Sequence, residues 1–136
     1  MTYSKDSLGC FPNLPSPNLI STVKKKVHRG ADGNVYIYHN LNIKNCASFP
    51  VELFTLSPDL PPCGLNLKAS RTWVIIYNSE TDGHLYGYCG FTKPCDTSEL
   101  HLAVPFGDTI PIEVYVKYID RKCELEYVSN TIVVTP

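Results

Sequence analysis

Apolar side chains recur at every second residue in two stretches of this chain, a period that suits a half-buried β-strand and not a helix. Residues 35–43 put Val35, Ile37, His39, Leu41 and Ile43 on one face and Tyr36, Tyr38, Asn40 and Asn42 on the other. Residues 112–118 do the same, with Ile112, Val114, Val116 and Tyr118 set against Glu113, Tyr115 and Lys117. After this second stretch come a polar break, Asp120-Arg121-Lys122-Cys123, and another β-branched run to Val134, which together signal a hairpin. In that last run Leu125 and Tyr127 take one parity while Val128, Ile132 and Val134 take the other. A bulge near Tyr127 and Val128 is therefore expected. No window shows the periodicity and capping residues of an amphipathic helix. Single turns are expected at most, around residues 50–53 or 98–100.

The remaining segments add further strands. Residues 19–28 place Leu19, Val23 and Val27 on one face, with Lys25 among them as an inward charge that blunts an edge strand. The rival reading joins Lys24, Lys25 and Lys26 with His28 and Arg29 in an anion patch. Residues 51–56 form a short strand before Pro58, Pro61 and Pro62, which cannot join a central ladder. Residues 71–77 are apolar on both faces, the signature of a central strand, with Trp73 expected in the core. Asp82-Gly83 supplies positive φ for a tight return. Beyond it Leu85, Cys89 and Phe91 are expected inward, and Tyr86 and Tyr88 outward. Leu100, Leu102 and Val104 alternate as one more short strand. Upstream, Pro12, Pro15 and Pro17 make residues 1–18 an extended Pro-rich N-terminal arm, which Cys10, Phe11 and Leu14 can tack onto the domain. Residues 19–136 form that domain, long enough to bury roughly two-thirds of its unfolded surface. The expected fold is all-β, a two-sheet antiparallel β-sandwich.

The order of cues narrows the architecture. A Trp-bearing strand is followed by a hairpin return, a short Leu-x-Leu-x-Val strand and the corner Val104-Pro105-Phe106-Gly107-Asp108. That corner leads into Ile112-Glu113-Val114-Tyr115-Val116, and the chain ends on Ser129-Asn130-Thr131-Ile132-Val133-Val134. This pattern resembles a fibronectin type III or immunoglobulin-like domain over residues 19–134, with its E–F corner, F strand and G strand in those places. Ile112 stands where such domains usually carry a tyrosine. The resemblance implies a fold and no particular activity.

Function is bounded mainly by exclusion. Twelve basic and thirteen acidic residues leave a net charge of -1, which argues against a nucleic-acid partner. No apolar run is long enough to span a bilayer, which argues against a membrane partner. The first seven residues lack the pattern of a secretory leader, so the expectation is a cytoplasmic protein with reduced thiols. Phosphate-loop, dinucleotide, zincin and nucleophile-elbow motifs are absent, so neither a cofactor nor an enzyme is called for. A Cys/His nucleophile assembled from Cys89 or Cys95 with His84 or His101 is the enzymatic alternative.

Two constellations remain. Cys89 and Cys95, five residues apart in a loop, are a candidate disulfide or redox pair. With Cys46 and Cys63 they are also a conceivable four-thiolate metal site, although zinc spacing is lacking. Buried small hydrophobes are the plain reading of these cysteines. His39, on an apolar face, reads as a hydrogen-bonded core histidine. Only 18% of residues are charged and nine are Tyr, a composition suited to surface contact. Tyr36 and Tyr38 on one strand and Tyr86 and Tyr88 on another are the candidate binding residues, forming one aromatic patch if the strands share a sheet. Their alternative is packing against neighbouring strands. The function expected is a non-catalytic interaction module whose partner is another protein or a second copy of itself; the alternatives are a redox or metal-responsive domain working through Cys89 and Cys95, a small hydrolase, and a carbohydrate-binding module whose tyrosines meet sugar rings.

Overall fold

The computed structural model describes residues 5–57, 60, 69–90, 95 and 100–136, without the side chains of residues 22–25. Eight strands occur among them: β1 (Leu19–Arg29), β2 (Val35–Ile43), β3 (Thr72–Asn78), β4 (His84–Tyr88), β5 (His101–Pro105), β6 (Ile112–Asp120), β7 (Leu125–Val128) and β8 (Ile132–Val134). One sheet has the order β1-β2-β5 and the other β4-β3-β6-β7, with β8 also pairing β6. Every pairing is antiparallel. Leu41, Ile43, Leu102 and Val104 from the first sheet meet Val74, Ile76, Val114, Val116 and Tyr118 from the second in one core. The layering is that of a β-sandwich. No helix among the described residues is long and apolar enough to cross a membrane.

The two alternating stretches behave as their patterns require. In β2, His39, Leu41 and Ile43 are buried, and in β6 Val114, Val116 and Tyr118 are fully buried. The bulge in the last run falls a little later than expected. β7 and β8 both pair β6, but the register slips by one residue between Lys117↔Val128 and Val114↔Ile132. Ser129 fills the gap: its Oγ accepts from Val116 N at 2.7 Å, and its own N–H donates to Val116 O at 2.8 Å. That extra residue brings Tyr127 and Val134, of opposite parity, onto the same core.

Three expectations are corrected. β3 is central, but Trp73 lies on the outer face of its sheet because Val74 and Ile76 take the inner one. The Arg121 guanidinium covers the Trp73 ring 4.4 Å from its centroid, a cation–π contact that shelters an apolar surface outside the core. In β4 the facing changes at Tyr88 and Leu85. Tyr88, opposite Val74, packs against the core, whereas Tyr86 stays open as expected at 49% exposure, and Leu85 sits in a register irregularity and is 40% exposed. Residues 51–54 form a 3-10 turn rather than a strand; Leu53 and Phe54 are buried from it, and only Leu56 makes a bridge, to Ser70. The prolines at 58, 61 and 62, Phe91, the side chains of Val23 and Lys25, and residues 98 and 99 lie outside the described residues.

The N-terminal segment closes one end of the core. Phe11 is fully buried, and its carbonyl accepts a hydrogen bond from the Tyr127 hydroxyl at 2.7 Å. Asn45 holds the segment further on, accepting from Asn18 N at 2.7 Å and donating to Ser16 O at 2.9 Å. Phe49 and Phe54 pack edge-on against Tyr118 at 5.0 and 5.4 Å, completing an aromatic lid.

Candidate functional site

The outer face of the first sheet carries Tyr36 and Tyr38 from β2, His28 from β1 and His101 from β5. The Tyr38 ring is stacked between the two histidines, 4.8 Å from His28 and 4.5 Å from His101. β5 is an edge of the first sheet and β4 an edge of the second, and the two edges meet. Tyr88 makes the link: its hydroxyl accepts from His101 N at 2.9 Å and donates to His101 O at 3.2 Å. A side chain thus occupies backbone groups that an edge strand otherwise leaves open. The Tyr86 ring lies 5.9 Å from His101 and 4.8 Å from Tyr88. His28, Tyr38, His101, Tyr86 and Tyr88 therefore form one aromatic string that runs round the edge of the sandwich.

Three of the four tyrosines singled out by sequence thus come together, although their strands lie in different sheets. Tyr36 does not join them. Its hydroxyl donates to Asp32 at 2.5 Å in the β1–β2 turn, where the same carboxylate accepts from Asn34 N at 2.9 Å. That hydrogen bond lowers the Asp32 carboxyl and raises the Tyr36 phenol relative to their ordinary values. Gly30 permits the contact, since a β-carbon there would lie 2.8 Å from Tyr36 Cε2. Tyr36 is a turn lock. His28 and His101 are members that sequence reasoning did not put in the patch: the pairing of β1 with β2 sets His28 against Tyr38, and the meeting of β4 with β5 brings His101 to Tyr86 and Tyr88.

The cysteines pair differently from the sequence expectation. Cys46 is bonded to Cys95 and Cys10 to Cys123, with Cα atoms 5.3 and 5.9 Å apart. Cys89 is disulfide-bonded as well, and none of the described cysteines is free. The reason lies in the first sheet. β2 and β5 run antiparallel with Asn40 opposite His101 and Leu41 N donating to Leu100 O, so the start of β5 lies close to the end of β2 and its turn. Cys95 consequently meets Cys46, while Cys89 directly follows Tyr88 at the end of β4. The candidate Cys89–Cys95 pair is not formed, and the expectation of reduced thiols is overturned. The Cys/His nucleophile and the four-thiolate site lose the thiolates at Cys46, Cys89 and Cys95. Cys63 lies outside the described residues.

A buried ion pair stands beside the Cys10–Cys123 bridge. Arg71 Nε and Nη2 donate to the two oxygens of Asp120, each at 2.8 Å, with Asp120 fully buried. Nη2 also donates to Gly9 O at 2.9 Å and to Cys123 Sγ at 3.4 Å. The hydrogen bond to Asp120 holds the guanidinium above its ordinary value against the opposing effect of burial. This cluster ties the N-terminal segment, the start of β3 and the β6–β7 turn into one unit.

A second aromatic surface covers the outer face of the β4-β3-β6-β7 sheet. Tyr77 and Tyr115 stack at 5.3 Å, Lys117 Nζ lies 5.1 Å above the Tyr77 ring, and the Tyr115 hydroxyl donates to Asp82 at 2.9 Å. Each of these groups is engaged within the sheet, which leaves the His–Tyr string as the more open surface. No protein-family model, no curated protein and no solved structure matches this chain.

Proposed function

We propose that the chain is a non-catalytic protein-interaction module of the fibronectin type III or immunoglobulin-like kind, braced by disulfides and working in an oxidising compartment. The observation that carries this reading is the His28–Tyr38–His101–Tyr86–Tyr88 string. Its members are rigid, amphipathic rings of the sort that supply contact area at low entropic cost. Tyr86, between His101 and Tyr88, is 49% exposed. The strand order supports the fold assignment: β1, β2 and β5 correspond to A, B and E strands, while β3, β6 and β7 correspond to C, F and G with β4 added as C′. The disulfides favour a secreted or otherwise oxidising setting over the cytoplasm that the sequence alone suggested.

The test is Tyr38→Ser combined with Tyr86→Ser, on the outer and edge positions of the string. Tyr88 is left intact because its hydroxyl serves the β5 backbone. Circular dichroism of the variant is expected to match wild type. Light scattering reports whether wild type exceeds the monomer mass, and cross-linking in its native fluid reports a bound partner. The variant is expected to lose the oligomer or the partner. A variant that keeps both overturns the reading.

A further inference from the structure

The Cys10–Cys123 bridge has an asymmetry that bears on its chemistry. Residues 6–10 form a tight turn in which the Asp6 carboxylate accepts from Leu8 N at 2.9 Å and from Cys10 N at 2.8 Å, with Gly9 at φ 80°. This turn presents Cys10 to Cys123 at the floor of an open depression of about 430 Å³, lined by Leu8, Cys10, Lys122, Cys123 and Glu124. Both cysteines are half-buried, and both line this depression. Arg71 Nη2 donates to Cys123 Sγ from the protein side, whereas among the described residues no hydrogen bond reaches Cys10 Sγ. Lys122 adds a second cation, its Nζ lying 3.1 Å from where a β-carbon on Gly9 would stand. The charges around the bridge are therefore Arg71 and Lys122 against Asp120, Glu124 and Asp6. Asp120 already accepts from Arg71 Nε and Nη2.

We infer that Cys10–Cys123 is a thiol–disulfide exchange site for a small dithiol, with Cys10 as the sulfur attacked and Cys123 as the leaving group. Exchange is fastest when the departing thiolate is the better stabilised of the two. Arg71 Nη2, shared among Asp120 Oδ2, Gly9 O and Cys123 Sγ, stands 3.4 Å from that sulfur and stabilises the thiolate as the S–S bond breaks. In the first step a thiolate of the dithiol attacks Cys10 Sγ. A mixed disulfide forms, and the electron pair of the broken bond leaves on Cys123 Sγ, held by Arg71. In the second step the dithiol's other thiolate attacks its own sulfur in the mixed disulfide, closing the dithiol into a disulfide and releasing Cys10 as a thiolate. The protein bridge gains two electrons and the dithiol loses two. The two protons given up by the dithiol are available to the Cys10 and Cys123 sulfurs. Exchange removes the covalent hold on the N-terminal segment and leaves buried Phe11 and the hydrogen bonds of Tyr127, Arg71 and Asn45 to keep it in place.

The experiment uses the full oxidised chain. β-Mercaptoethanol serves as the trapping monothiol, and iodoacetamide captures the thiol released; peptide mass mapping then locates each label. The adduct is expected on Cys10 and the carbamidomethyl group on Cys123, with a preference of about tenfold or more. Equal labelling, or an adduct chiefly on Cys123, overturns the proposal without any variant. Arg71→Lys, checked for native circular dichroism, is expected to bring the preference close to parity, and a folded variant with the wild-type preference also overturns it. Dithiothreitol should then carry the opened bridge to two free thiols, with oxidised dithiothreitol formed in equal amount. Failure to form that product counts against the second step.

Discussion

Tyr127 shows how one residue can serve two layers of the structure. Its ring lies in the core and its hydroxyl is used on the N-terminal segment, where it donates to Phe11 O. Burial, with Asp120 nearby, pushes the phenol up to about 12. Tyr118, fully buried between Phe49 and Phe54, is pushed upward for the same reason. The sign follows from proton binding. A phenol whose folded value exceeds its unfolded value of about 10 contributes stability that is fully present below pH ~10 and lost as pH rises through the folded value. Denaturant midpoints are expected to hold steady from neutral pH to about pH 9–10 and then to fall. Tyr127→Phe should cost about 1 kcal/mol at neutral pH by leaving Phe11 O without its donor, and should flatten the alkaline decline. An alkaline slope identical to wild type would remove Tyr127 from the account.

At the scale of elements, the register slip between β7 and β8 does more than reconcile two parities. It frees Asn130 to turn toward β1, where its Oδ1 accepts from Leu19 N at 2.7 Å and its Nδ2 donates to Leu19 O at 2.9 Å. One side-chain amide thus acts as a strand partner for the first residue of β1 and joins the two sheets along that edge. Asn130→Ala should lower stability by about 1–2 kcal/mol and speed amide exchange at Leu19, with little change at Leu41 in the strand beside it. Unchanged exchange at Leu19 would show that the clip contributes nothing. The strands whose alternation is unambiguous, β2 and β6, were legible from sequence because a one-residue slip would have turned their aliphatic faces to water. β4 was not, since Tyr86 and Tyr88 can face either way. A ring that covers apolar surface and a hydroxyl that needs a partner fit the meeting of two sheet edges as well as they fit solvent. Trp73 misled for a related reason. Its size suggested the core, yet Val74 and Ile76 already fill the inward positions of β3, and Arg121 provides the cover that Trp73 needs on the outside.

On the scale of the whole molecule, the cysteines were the least legible feature. Spacing along the chain favoured Cys89 with Cys95, but pairing depends on which loops the sheets bring side by side, and six cysteines admit too many connectivities for spacing to choose. The antiparallel pairing of β2 with β5 selects Cys46 and Cys95, and the docking of Phe11 selects Cys10 and Cys123. The same dependence explains why the aromatic string was only partly visible: Tyr38, Tyr86 and Tyr88 were identified, but their meeting at His101 is a property of the sandwich edge. The two bridges also constrain the unfolded chain to different degrees, spanning 113 and 49 residues. In the loop-entropy account each contributes about 4–5 kcal/mol, and the longer loop exceeds the shorter by roughly 0.7 kcal/mol. Replacing Cys10 and Cys123 together by serine is therefore expected to lower the denaturant midpoint slightly more than replacing Cys46 and Cys95, both measured without reductant. The margin is small enough for native-state effects to reverse it, which makes the ordering informative. If Cys10→Ser with Cys123→Ser is the milder change, then the Arg71–Asp120 pair and the buried Phe11 ring hold the N-terminal segment without the bridge. That result would fit a bond whose purpose is exchange, whereas a loss well beyond the entropic figure would mark the bridge as a structural staple first.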